Sequence, residues 1–128
     1  MPDPNLKRPV ILIVDDNQDQ LEMLRRAFSD RYEVLSALDG LDGYALACSQ
    51  HPSAIILDIA MPLVDGWTVL RKIRTNQTTK DIPVVIFTAL ELDTITAEAK
   101  NLGVSAVLRK PTPTKELEGV IRQVVRPF

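Results

Sequence analysis

Five side chains that could act together on a phosphorylated group stand at or just after apolar runs of this 128-residue sequence. They are three carboxylates, one hydroxyl and one ammonium, on Asp15, Asp16, Asp58, Thr88 and Lys110. Carboxylates that are crowded together repel one another and lose solvation, so such a cluster is costly unless a cation joins them. A magnesium ion (Mg2+) is favoured because it keeps several waters and needs only one or two direct carboxylates plus an anionic group.

The lysine and the hydroxyl extend this cation site into a pocket for an anion. Lys110 offers a flexible point charge that suits a phosphoryl oxygen, and Thr88 adds a neutral hydrogen-bond donor. A carboxylate beside such a pocket can itself be a nucleophile, so Asp58 is a candidate for forming an aspartyl phosphate.

Alternating strand and helix patterns would bring the five residues to one edge of the fold. Mostly continuous apolar runs predict strands over residues 10–14, 32–37, 54–58, 83–88 and 104–108. Amphipathic patterns predict one helix after residue 17 and four more over residues 39–50, 67–74, 94–102 and 114–125. This order predicts an α/β fold: a five-stranded parallel sheet with helices on both faces, in the flavodoxin-like doubly wound order 2-1-3-4-5. Ligands of such sheets bind beyond the carboxyl ends of the strands.

Single elements carry further expectations. Glu33 predicts that the strand over 32–37 lies near an edge of the sheet. The helix over 39–50 is expected to bury one stripe, formed by Leu41, Ala45 and Cys48. A basic cluster in the helix over 67–74 is interpreted as a solvated face, formed by Arg71, Lys72 and Arg74.

Composition places the chain among ordinary globular domains, with 45% hydrophobic and 25% charged residues. Its 15 basic and 17 acidic side chains leave a net charge of −2. This near-balance predicts that the protein binds neither nucleic acid nor a membrane directly. Apolar runs are far shorter than the roughly 20 residues that cross a bilayer. With a single cysteine and no apolar leader, we expect a cytoplasmic protein. Residues 1–8 are expected to be flexible, and residues 9–128 to form one domain.

Four short motifs resemble the receiver domain of two-component response regulators. They are Ile13-Val14-Asp15-Asp16, Leu57-Asp58-Ile59-Ala60-Met61-Pro62 with Asp65-Gly66, Phe87-Thr88-Ala89, and Leu108-Arg109-Lys110-Pro111. Each motif lies at a predicted strand end, and the resemblance covers about residues 8–125.

The resemblance implies a phosphorelay function. Asp58 would be the phosphoacceptor, receiving a phosphoryl group from a histidine kinase or a histidine phosphotransfer protein. Magnesium would be held directly by Asp16 and through a bound water by Asp15, with Asp58 and the backbone carbonyl of Ala60 completing the protein ligands. The domain would not be a conventional enzyme, with at most slow self-phosphorylation and autodephosphorylation.

The same resemblance assigns the switch that follows phosphorylation. Lys110 would pair with one phosphoryl oxygen, and the peptide bond between Lys110 and Pro111 would be cis. Thr88 would hydrogen-bond another phosphoryl oxygen and move toward it. The new charge would then shift the population of states that a downstream effector protein or domain reads.

Several positions depart from the usual pattern of the family. Val107 stands where receivers usually carry Tyr or Phe, and a valine cannot make the same ring movement. Thr112 stands where a phenylalanine commonly follows the Lys-Pro pair. Ala60 and Leu90 flank the expected path of hydrolytic water, and our hypothesis is that they help set phosphoryl lifetime, with Leu90 shielding water.

Three other functions are weighed against this interpretation. A magnesium-dependent phosphohydrolase that uses an aspartyl phosphate would need a second aspartate where Ala60 stands. A flavin or nucleotide binder would want a Gly- or Ser-rich phosphate loop where residues 15–17 are acidic or amide side chains. A pseudo-receiver that acts only as a protein-interaction module is suggested chiefly by Val107.

Overall fold

The structure of the chain is a computed structural model that describes residues 8–61 and 65–125. Residues 1–7, which make up nearly all of the expected flexible N-terminal segment, lie outside the described residues. So do residues 62–64, among them Pro62 of the second motif, and residues 126–128.

Ten elements alternate along the described chain. They are β1 (Val10–Val14), α1 (Gln18–Phe28), β2 (Glu33–Ala37), α2 (Gly40–Gln50), β3 (Ala54–Leu57), α3 (Gly66–Thr75), β4 (Val84–Thr88), α4 (Leu92–Asn101), β5 (Ala106–Arg109) and α5 (Thr114–Val124). The predicted alternation is confirmed, and the boundaries differ from the predicted ones by at most two residues. Among the helices of the described ranges, none is long and apolar enough to span a membrane.

All five strands pair in parallel, in the order β2-β1-β3-β4-β5, which confirms the predicted doubly wound topology. β2 lies at an edge, as expected from Glu33, and most of its residues are partly exposed. The central strands are buried because helices cover both faces of the sheet. Val14 pairs with Leu57, so the residues that follow them, Asp15 and Asp58, leave the sheet at the same level.

Each face of the sheet carries its own apolar core. On one face, α1 and α5 pack through apolar stripes, which include Leu24, Phe28, Leu117 and Ile121. The other face is covered by residues of α2, α3 and α4. Burial on both faces explains why the central strands have continuous rather than alternating apolar sequences.

The inner face predicted for α2 is wrong. Leu41 is 58% exposed, Ala45 is exposed and Cys48 is only half-buried. The buried face consists instead of small residues, namely Gly40, Gly43 and Ala47. A Cβ atom on Gly43 would lie 2.7 Å from Val14 Cγ2, so α2 approaches β1 more closely than a larger residue at this position would allow.

The interpretation of the basic cluster on α3 is wrong for one of its three members. Arg71 and Lys72 are exposed, but the Arg74 side chain is half-buried and runs inward. Its guanidinium donates to backbone carbonyls around the C-terminus of α4 and the entry to β4, those of Leu102, Gly103, Lys80 and Ile82. Arg74 therefore ties α3 to two neighbouring segments.

Candidate functional site

The three predicted carboxylates come together at the carboxyl edge of the sheet. Asp15 follows β1 and Asp58 follows β3, and the two residues are only 3% and 6% exposed. Asp16 is exposed and completes the cluster. One carboxylate oxygen from each of the three residues lies within 4.8 Å of the others. The site therefore concentrates negative charge where two buried strands end.

Lys110 joins this cluster from the segment after β5. Its Nζ lies 2.6 Å from Asp15 Oδ2 and 3.0 Å from Asp58 Oδ2, so one ammonium bridges two buried carboxylates. The same Nζ lies 5.5 Å from the centre of the Phe87 ring. The peptide bond between Lys110 and Pro111 is cis, as the resemblance implied.

Burial and pairing act in opposite directions on these charges. Burial raises the pKa of Asp15, and the hydrogen bond from Lys110 only partly offsets that effect. Burial by itself lowers the pKa of Lys110, but the hydrogen bonds and charges of Asp15 and Asp58 outweigh it and leave this pKa raised. Lys110 is therefore a firmly protonated cation beside the carboxylates.

Backbone amides orient the same two carboxylates. The Ala60 N–H donates to Asp58 Oδ1 at 2.9 Å, and the Asn17 N–H donates to Asp15 Oδ1, also at 2.9 Å. In each carboxylate, the other oxygen accepts from Lys110. Each carboxylate is thus held in a fixed orientation by its own backbone amide and by the ammonium of Lys110, which both share.

Thr88 ends β4 and is completely buried. Its carbonyl accepts from the Lys110 N–H at 2.7 Å, and its Oγ1 accepts from the Leu90 N–H at 3.3 Å. Within the described residues, no hydrogen bond joins the Thr88 hydroxyl to the carboxylates. The structure thus connects Thr88 to the site through the Lys110 backbone and to the following loop through its side chain.

Gly66 explains how α3 can begin against the loop that carries Asp58. A Cβ atom on Gly66 would lie 2.3 Å from Ile59 Cα and 2.7 Å from the Asp58 carbonyl oxygen. The Gly66 N–H also donates to the Ile59 carbonyl at 3.1 Å. Only glycine fits this close approach of two backbones, so its role is steric.

The donor set fits a hard divalent cation. It consists of three carboxylates whose oxygens converge, one of them on the exposed Asp16, together with the backbone of Ala60, two residues after Asp58. Magnesium favours oxygen ligands and retains several waters, so a partly open carboxylate cluster suits it. One lysine alone leaves the cluster with excess negative charge.

The comparisons with known proteins agree with this geometry. The family model described as the response regulator receiver domain matches residues 11–122. The chain belongs to the response regulator receiver domain family. Receiver domains are signalling modules of two-component systems rather than typical enzymes, which is consistent with a phosphorelay function.

Two curated relatives of this receiver domain illustrate its range. It is 37% identical over 117 residues to the response regulator PleD of Caulobacter vibrioides, covering 91% of this chain and 26% of PleD. It is 34% identical over 119 residues to RpaA, a DNA-binding dual master transcriptional regulator of Synechocystis, covering 92% of this chain and 49% of RpaA. The chain thus spans about a quarter to a half of the length of these relatives.

Solved structures show the same architecture. The chemotaxis protein CheY4 of Vibrio cholerae matches with a TM-score of 0.86 at 27% identity, covering 91% of this chain and 98% of that one. The phosphorylated cyanobacterial phytochrome response regulator RcpA matches with a TM-score of 0.77 at 23% identity, covering 91% of each chain. The second likeness concerns the fold alone.

One contact of this receiver at the rim of the site was not predicted. Arg109 Nη2 lies 2.7 Å from Glu91 Oε1, which joins the end of β5 to the start of α4. The residues are 18 positions apart, and only the pairing of β4 with β5 brings them together. The only feature of the sequence that could have indicated this contact is the opposite charge of the two residues, which many other pairs of residues also have.

Proposed function

We propose that this receiver domain accepts a phosphoryl group on Asp58 from a histidine kinase or a histidine phosphotransfer protein, in a magnesium-dependent reaction. The observation that carries the proposal is the position of Asp58. Its carboxylate is buried at the end of β3, 3.0 Å from Lys110 Nζ and inside the cluster formed with Asp15 and Asp16. A nucleophile, a cation site and an ammonium thus share one small pocket.

The chemistry balances without another co-reactant. A carboxylate oxygen of Asp58 attacks the phosphorus of a phosphohistidine, a P–O bond forms, and the P–N bond breaks. The imidazole of the donor leaves with the bonding electron pair and takes a proton from water. The Ala60 N–H, which donates to Asp58 Oδ1, keeps the nucleophile from rotating.

Charge neutralisation is the main requirement of this transfer, because an anionic group approaches three carboxylates. Asp15, Asp16, Asp58 and the backbone carbonyl of Ala60 would hold the magnesium ion, with Asp15 acting through a bound water. When bound, the ion would supply positive charge that offsets the repulsion between the carboxylates and the incoming phosphoryl group. Lys110 can then release the carboxylates and pair with a phosphoryl oxygen.

Phosphorylation would change which surfaces a partner can bind. The new group adds roughly −1.5 to −2 charges at Asp58 and three acceptor oxygens. The Thr88 hydroxyl, buried at the end of β4, would donate to one of them and move toward it. This bias would shift the domain toward a state recognised by a downstream effector protein or domain in the cytoplasm.

The residues around Asp58 favour this switching function over catalytic turnover as a phosphohydrolase. A phosphohydrolase with the same nucleophile would need an acid/base side chain two residues after Asp58, where Ala60 has none. Self-phosphorylation from small donors and autodephosphorylation would therefore both be slow.

The acceptor can be identified chemically. The protein is incubated with magnesium and a small-molecule phosphodonor and then treated with borohydride, which reduces an aspartyl phosphate to homoserine. Peptide mass spectrometry should find homoserine at position 58 alone, and no such change in Asp58→Asn. Reduction at another aspartate would overturn the assignment of Asp58, and no reduction at all would favour the pseudo-receiver.

A further inference from the structure

The ion pair between Glu91 and Arg109 is placed to act on the loop after β4. Glu91 occupies the N-cap position of α4, yet its side chain makes no capping hydrogen bond to the helix. Its carboxylate is instead 2.7 Å from the Arg109 guanidinium, which extends from the last residue of β5. The side chain thus spans from the helix start to the neighbouring strand.

The same loop is tied at its other end to the Thr88 hydroxyl. The Leu90 N–H donates to Thr88 Oγ1, and Glu91 is the next residue. Arg109 is the paired neighbour of Thr88 in the β4–β5 ladder, so its backbone position is fixed relative to the strand. Loop residues 89–91 are therefore attached to both the Thr88 side chain and the Arg109 side chain.

A movement of the Thr88 side chain toward Asp58 must affect the ion pair. If the Leu90 N–H keeps its hydrogen bond and follows the hydroxyl, Glu91 is displaced with the loop. Arg109 cannot follow freely because its backbone is held in the sheet. Such a movement therefore lengthens the contact between Glu91 and Arg109.

We propose that Glu91 and Arg109 are positioning residues whose ion pair restrains Thr88 and its loop, so that release of the pair favours phosphorylation. This inference rests on the proposed role of Asp58. In this chain the half-buried Val107 offers no ring that could couple the loop to β5. The charged contact supplies such a coupling at the protein surface.

The restraint that the ion pair places on Thr88 can be measured in the whole protein as the rate of phosphorylation by a small anionic phosphodonor. Glu91→Gln should raise the rate constant about two- to fivefold, the range that corresponds to an exposed ion pair. The matched control is Glu98→Gln, which breaks the 3.6 Å contact of Glu98 with Arg71 elsewhere on α4. This control should leave the rate unchanged.

Arg109→Gln separates a restraint from simple electrostatic steering. Loss of a positive charge slows an anionic donor if steering alone operates, whereas loss of the restraint predicts a faster reaction. The double variant with Glu91→Arg and Arg109→Glu reverses the pair and should return the rate toward that of the parent. The ratio of the Glu91→Gln rate to the parent rate should fall toward one near 1 M salt, because the pair is screened.

Amide hydrogen exchange at Leu90 reports the same restraint without a phosphodonor, and it should be faster in Glu91→Gln than in Glu98→Gln. If the parent is phosphorylated at Asp58 but the parent, Glu91→Gln and Glu98→Gln show equal rates and equal exchange, the proposed restraint is wrong. The proposed function would then still stand. A slower reaction of Arg109→Gln would likewise overturn the restraint alone. Absence of phosphorylation in the parent would instead overturn the proposed function on which the inference rests.

Discussion

Lys110 and Asp58 lie 52 positions apart in the sequence, yet their Nζ and Oδ2 atoms are 3.0 Å apart at the carboxyl edge of the sheet. The same ammonium contacts Asp15 even more closely. An internal cation therefore already neutralises part of the acidic cluster. A divalent ion that binds these carboxylates must compete with Lys110.

Lys110→Met is expected to strengthen magnesium binding and weaken the protein when magnesium is absent. Two unit charges about 4 Å apart interact by about 1 kcal/mol even in bulk water, so removing the competing charge should lower the dissociation constant at least roughly fivefold. Leaving two buried carboxylates without their partner should cost about 1–3 kcal/mol of unfolding free energy. Calorimetric titration with magnesium and urea denaturation measure the two effects. Lys115→Met, at an exposed lysine on α5, is the control, and an unchanged magnesium affinity in Lys110→Met would contradict the competition.

Gly66→Ala is expected to destabilise the fold and disturb the acceptor loop together. The added Cβ would meet the backbone of Ile59 and Asp58, which cannot yield as a side chain can. We expect a loss of about 3 kcal/mol, at the upper end for overpacking. Gly119→Ala is a matched control because nothing lies within 4 Å of its Cβ, and it should be neutral or stabilising by up to about 1 kcal/mol. Similar denaturation midpoints for the two variants would argue against the steric role.

Leu90→Glu is expected to shorten the lifetime of the phosphorylated protein. Leu90 is 39% exposed, and its amide is bonded to Thr88, so its side chain lies at the rim of the site. A carboxylate there admits and orients water, and we expect dephosphorylation to be about 3- to 10-fold faster, well below the roughly 100-fold of a fully positioned base. The decay of the phosphorylated mass after donor removal gives the rate. Leu41→Glu, at an exposed leucine of α2, should not change it, and an unchanged rate in Leu90→Glu would refute the shielding hypothesis.

Arg74→Met is expected to destabilise the protein, whereas Arg71→Met is not. The Arg74 guanidinium donates to the carbonyls of Leu102 and Ile82 at 2.7 and 2.8 Å, and these acceptors would lose their partner. Unsatisfied acceptors of this kind cost about 1–3 kcal/mol. Arg71 instead makes an exposed ion pair of little energetic value. Equal unfolding free energies of the two variants would show that the buried contacts contribute nothing.

The topology and the acidic cluster could be predicted from the sequence because they depend on strand order. Continuous apolar runs such as the one that ends at Val14 identify buried parallel strands. The register of such strands then places Asp15 and Asp58 side by side. The motif around Lys110 added the ammonium, since β5 ends at the same edge.

Other features depend on tertiary distances that no local pattern contains. The spacing of Leu41, Ala45 and Cys48 predicts the wrong inner face for α2, because Gly43 permits a closer approach to Val14 than a larger residue would. The sequence predicts a solvated Arg74. It cannot show otherwise, because the carbonyl acceptors of Arg74 come from segments that are distant in the sequence. The pairing of Glu91 with Arg109 likewise follows only from the register of β4 and β5.

The central claim is that Asp58 accepts a phosphoryl group in a magnesium-dependent reaction, and the intact mass of the protein tests it most directly. After incubation with a small-molecule phosphodonor and magnesium, the parent protein should gain the mass of one phosphoryl group. Chelation of magnesium should abolish the gain, and Asp58→Asn should not show it. A parent protein that gains no phosphoryl mass, or an Asp58→Asn variant that gains the same mass at the same rate, would contradict the account.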